Sequence, residues 1–88
     1  MERVTVAAVG DVTPGFDPLE KSFDYVMQPL RGADLRFAQS ERAYSTRGTY
    51  QLTAGATHSR KHPRLAAAFK SVPFDVLSIC SNHTGDFG

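Results

Sequence analysis

Three short apolar runs, Val4–Val9, Leu35–Gln39 and Phe74–Cys80, are each followed at once by a residue able to ligate or titrate. Between them lie a helix-type segment over 17–30 and, after a long polar stretch, a second over 63–70. The order strand, helix, strand, loop, helix, strand constrains the fold more than any other feature. Strands separated by helices pair in parallel through right-handed crossovers. The first run is nearly continuous rather than alternating, which predicts a strand covered on both faces. Two helices are too few to cover both faces of a three-stranded sheet, so the pattern is that of an incomplete α/β domain.

Local signals set the expected boundaries. Gly10-Asp11 ends the first strand, and Pro14-Gly15 continues the loop. Asp17 reads as a helix N-cap, with Pro18 at the first helical position and Glu20 three residues after the cap. Leu19, Phe23, Val26, Met27 and Leu30 recur at helical spacing and form one apolar face, which Pro29 and Gly32 close. Arg36 interrupts the second strand. Residues 42–62 are polar, have no clear period and read as a long loop with short extended pieces. The second helix opens at Pro63 and stops before Pro73.

Composition excludes several functions. The net charge of +1 is too small for a general nucleic-acid or membrane-surface binder. No run approaches the ~20 apolar residues of a membrane helix, and Met1–Gly10 lacks the form of a signal peptide. The chain therefore reads as cytoplasmic, or as envelope-associated if a natural segment precedes it. The single cysteine, Cys80, cannot form an internal disulfide and reads as a small buried hydrophobe. His58 and His62 are four apart in a basic cluster, 58–64, but Pro63 argues against a helical histidine pair holding metal. That cluster reads as a solvated loop; its functional alternative is contact with an anionic substrate or polymer.

The chemistry sits at the strand ends: Asp11 after the first, Glu41 after the second, Asn82 and His83 after the third. In open parallel sheets the ligand site lies outside the carboxyl ends of the strands. Two carboxylates, an amide carbonyl and an imidazole form a mixed oxygen and nitrogen set suited to Mn²⁺, Fe or Zn²⁺ and less to Ca²⁺. Simpler roles stand beside this one. Asp11 suits a turn, Glu41 a solvated surface, and Asn82-His83 a cap on the turn that follows.

The same residues carry a family resemblance. Gly10-Asp11-Val12 is similar to the opening Gly-Asp motif of CapA-type capsule and poly-γ-glutamate biosynthesis domains. Ala33-Asp34-Leu35 with Glu41 resembles that family's "aDl…NLE" segment, with Gln39 and Ser40 in place of Asn and Leu. Phe74-Asp75-Val76-Leu77-Ser78 and Ser81-Asn82-His83-Thr84-Gly85-Asp86-Phe87-Gly88 resemble its "fDvvslaNNHxxDyG" segment, with Ser81 where Asn is usual. The resemblance implies the N-terminal, parallel-strand part of an αββα metallophosphoesterase-like sandwich, residues 1–88 forming one portion of a single domain. It also implies Asp11 and Asn82 as metal ligands, Glu41 as a ligand or close neighbour, and His83 as general acid. The superfamily's downstream histidine motifs are not in the sequence, so the chain supplies about half a site.

Three functions follow as expectations. One is a metal-dependent phosphoesterase-like hydrolase acting on an anionic polymer or phosphoester. Another is a non-catalytic biosynthesis component that binds a polymer or partner, and the third is a truncated fragment without independent activity. Uncovered sheet surface leads us to expect self-association of the isolated chain.

Overall fold

A computed structural model describes residues 2–15, 17–52 and 59–88. Its centre is a three-stranded, fully parallel sheet, β1 (Val6–Val12), β2 (Leu35–Ser40) and β3 (Val76–Ser78), in the order β1-β2-β3. The expected α/β class and the three strands are present. β1 runs three residues past Val9 because its pairing with β2 continues through a bulge between Ala8 and Asp11, ending at Asp11↔Gln39 and Val12↔Ser40.

One face of the sheet is covered. Phe23, Leu30 and Val72 form the core, with Ala7, Val9 and Val12 of β1 packed against it alongside Met27, Phe69 and Phe74. The rings of Phe23 and Phe74 meet edge to face at 5.5 Å between centroids. The other face carries Val6, Leu35 and Val76, all about half exposed, so β1 alternates where two-sided cover was expected. Cys80, expected inside, is exposed. β3 ends at Ser78, two residues before it, and Ile79 and Val76 beside it also stand open.

The helical segments are shorter and tighter than their apolar spacing predicts. Residues 17–30 resolve into 3₁₀ turns at Leu19–Lys21 and Asp24–Val26, followed by a five-residue helix, α1 (Met27–Arg31). In tighter turns the core-facing positions shift: Phe23 and Leu30 are buried, but Val26 is exposed. Asp17 makes no cap. Its carboxylate accepts two hydrogen bonds from the Arg64 guanidinium, at 3.1 and 3.3 Å, and Arg64 holds its carboxyl below the ordinary range. Pro63–Ser71 is a 3₁₀ segment whose first turn is capped by His62, Nδ1 accepting from the Arg64 amide.

Arg36, which interrupts the apolar pattern of β2, ties the structure together beneath the sheet. Its Nη1 donates to the carbonyls of Ala33 and Leu30, and its Nε donates to Pro73. The Leu30 carbonyl, which also accepts from the Ala33 amide, and the Ala33 carbonyl just past α1 thus gain a cationic donor at the helix end. Two aspartates of the family-like segments pin the register at the amino ends of the strands. Asp34 accepts from the Thr5 amide at 2.7 Å and Asp75 from the Arg36 amide at 2.8 Å. Both lie at the end of the sheet opposite the candidate site.

Candidate functional site

Parallel pairing brings the carboxyl ends of the strands to one edge. Asp11 pairs in register with Gln39, and Gln39 with Ser78, so these three share a row and a face of the sheet. Asp11 is exposed on the face away from the core. The chain leaves β2 through Glu41, whose amide donates to the Val12 carbonyl at 3.3 Å. Its carboxylate is held by Thr13 Oγ1 at 2.9 Å and lies 3.5 Å from Arg42 Nε. After β3 the Ser81 hydroxyl donates to the Glu41 carbonyl at 2.8 Å and accepts from the His83 amide at 3.0 Å. Ser81, where the family's Asn is usual, therefore stitches the Asn82-His83 turn to the end of β2. Asn82 is exposed next to it.

The electrostatic centre is one turn further on. Asp86 is 4% exposed, the sole buried charged residue among those described. His83 Nδ1 lies 2.7 Å from its Oδ2, and Arg42 Nη1 lies 3.4 Å from the same oxygen and 2.8 Å from Nδ1. Nδ1 can serve only one of the two: protonated, it donates to Asp86; unprotonated, it accepts from Arg42. A buried carboxylate needs such partners to remain charged. Sequence reasoning assigned no role to Arg42 or Asp86. For Asp86 a signal existed, since Asn-His-x-x-Asp spacing places it one turn from His83. For Arg42, a contact 44 residues distant, none did.

The polar stretch after Arg42 is also organised. Tyr44 and Lys61 form a parallel bridge, and the amides of Thr49 and Gln51 donate to the carbonyls of Phe87 and Asp86 at 2.8 and 2.9 Å. Tyr44 donates its hydroxyl to the Pro14 carbonyl, and burial pushes its phenol up to about 12. His58 of the basic cluster lies outside the described residues.

The four residues expected at the site thus sit along one edge, but they do not form one tight cluster. Among the described residues no group of three or more His, Cys, Asp and Glu side chains converges as a metal shell would. The side chains of Asp11, Glu41 and Asn82 offer oxygen donors, the type that hard and borderline divalent ions take. His83 is committed to Asp86 and Arg42.

The family model for bacterial capsule synthesis protein PGA_cap matches residues 5–88. The chain belongs to that family. The matched span includes each strand, the Asn82-His83 turn and Asp86. A comparison with curated proteins finds no match. No helix of this PGA_cap member is long and apolar enough, among the described residues, to cross a membrane.

Proposed function

We propose that this PGA_cap chain contributes part of a metal-dependent hydrolytic site serving capsule or poly-γ-glutamate synthesis. Asp11, Glu41 and Asn82 would hold a divalent ion, Mn²⁺, Fe or Zn²⁺, and His83 would act on the leaving group. When bound, such an ion lowers the pKa of a coordinated water and offsets charge developing on a phosphoryl oxygen. Thr13 and Arg42 both meet Glu41 at Oε2, so Oε1 would be the oxygen offered to an ion. Asp86 orients the His83 ring: with Nδ1–H donated to Asp86, Nε2 is the nitrogen left for proton transfer, and it would act as acid from the doubly protonated ring. The observation that carries the reading is the 2.7 Å pairing of His83 with a buried carboxylate at the edge where Asp11, Glu41 and Asn82 also end.

Three oxygen donors leave most of a coordination shell to water, so binding by residues 1–88 is weak and turnover of a generic phosphodiester negligible. The test is Mn²⁺ titration followed by paramagnetic broadening of backbone amides. Broadening centred on Asp11, Glu41 and Asn82, and lost in Asp11→Asn, supports the reading. Broadening spread over surface carboxylates would sink it. A second reading, a non-catalytic component that binds an anionic polymer, is favoured by the two guanidinium groups, Arg47 and Arg60, that line one cavity. No Mn²⁺ effect at the edge together with polymer binding would select it.

A further inference from the structure

A concave site lies beside the His83 turn, and nothing in the hydrolytic reading uses it. A cavity of about 360 Å³ is lined by Ser45, Arg47, Gly48, Arg60, Thr84 and Phe87, with two smaller residues completing it. Two guanidinium groups line it and no side-chain carboxylate does, the two smaller residues being Ala43 and the terminal Gly88. In a chain of net charge +1 this is a marked local excess.

One of the two guanidinium groups is fixed before any ligand arrives. Arg60 Nη1 donates to the carbonyls of Arg47 and Gly48 at 2.7 and 3.0 Å, and its central carbon stands 4.4 Å over the Phe87 ring. Two carbonyls and an aromatic face set the plane of the group. Its Nε and Nη2 have no hydrogen-bond partner among the described residues, nor has the Arg47 side chain. The corner that carries Arg47 is also fixed. Gly48 has φ +85°, and a Cβ there would run into the Phe87 carbonyl, so only glycine permits this approach. The Thr49 amide then bonds that same carbonyl at 2.8 Å. Ser45 Oγ, which accepts the Arg47 amide at 2.9 Å, keeps its own proton to donate.

From this we infer that the cavity is an oxyanion-binding subsite, taking a carboxylate or phosphoryl group between Arg47 and Arg60. A planar guanidinium with an open edge matches such a group in two parallel hydrogen bonds. The cavity is large enough for the oxyanion and a few attached carbons. Thr84 and Phe87 flank His83 and Asp86 in one turn, so a substrate anchored here would extend toward the strand ends. That last step rests on the hydrolytic reading; the anion site itself does not.

The experiment keeps the two apart by working in chelator, without divalent metal. The 88-residue chain, ¹⁵N-labelled, is titrated with glutarate and separately with inorganic phosphate at constant ionic strength, with chloride as the reference anion. Saturable shifts at the Arg47 and Arg60 side chains and the Thr84 and Phe87 amides are expected. Arg47→Gln, which removes no hydrogen bond of the fold, weakens binding about tenfold, the low end for loss of a charge-assisted hydrogen bond. Arg31→Gln on α1 leaves it unchanged. Arg60→Gln tests the fixed group but also loosens the 47–48 corner, so Arg47→Gln decides. Tighter binding of glutarate than phosphate assigns the subsite to a carboxylate substrate, and the reverse to a phosphoester. Shifts matched by chloride, or unchanged in Arg47→Gln, would overturn the proposal. A positive result here with no Mn²⁺ effect at Asp11 would retain the subsite and remove the metal reading.

Discussion

Replacing Asp86 with alanine separates a carboxylate that holds the site together from one that merely follows a motif. The side chain is 3% exposed, and its partners Arg42 and His83 are 16% and 12% exposed. Removing one member of a buried ion pair costs about 3–5 kcal/mol, because the charge left behind is desolvated and unpaired. Arg42 retains Glu41 at 3.5 Å, which places Asp86→Ala near the low end, about 3 kcal/mol. Asp86→Asn keeps the shape and one acceptor and costs about 1.5 kcal/mol, the loss of charge assistance. A chain of 88 residues has roughly 4–13 kcal/mol of total stability at about 0.05–0.15 kcal/mol per residue. The alanine variant therefore forfeits a large share. With a urea m-value of about 1 kcal/mol/M the midpoint falls by about 3 M for alanine and half that for asparagine. A double-mutant cycle with Arg42→Ala gives coupling of about 1–3 kcal/mol. Wild-type midpoints in both Asp86 variants, or a cycle that sums to zero, would refute the claim that this pair organises the turn.

Other outcomes follow from the same contacts. Gly48→Ala loses about 1–3 kcal/mol through strain at a left-handed position, and hydrogen exchange at the Thr49 amide quickens; an unchanged exchange rate would contradict the close approach to Phe87. The raised Tyr44 phenol, at about 12 against an ordinary 10.0, stabilises the fold fully below pH 10, and that contribution is lost as the pH rises toward 12; Tyr44→Phe removes both this alkaline loss and the late step in ultraviolet titration. The accessible surface is 6166 Å², against about 5,100 Å² for a compact chain of this mass, and Val6, Leu35 and Val76 lie open on one sheet face. Light scattering on the isolated chain should show self-association that Leu35→Lys reduces, and a monomer across the micromolar range would count against it.

Much of the fold was legible because the strands announce themselves through β-branched runs, and their ends through the residues that follow. Local rules failed where a distant partner won. Asp17 has every local mark of a cap, yet it bonds Arg64, 47 residues on. Arg36 reads as a defect in a strand until the carbonyls of Leu30, Ala33 and Pro73 are placed around it. Cys80 reads as buried because its run is apolar, but burial depends on a layer over that face. That Asp11, Glu41, Asn82 and His83 share the carboxyl edge of the sheet could be read from strand ends alone. Arg42 could not, because its value lies in the charge of Asp86 across the fold. The Arg47–Arg60 cavity was hidden for the same reason: it forms only when residues 45–48 lie against 84–88.

The most direct test of the account is a crystal grown with Zn²⁺ and examined by anomalous diffraction. The account predicts one peak at the carboxyl edge of the sheet, with oxygens of Asp11, Glu41 and Asn82 within about 2.0–2.2 Å and the His83 ring still paired with Asp86. A peak bound elsewhere, or an edge where Glu41 stays paired with Arg42 and no ion is held at saturating Zn²⁺, would contradict it.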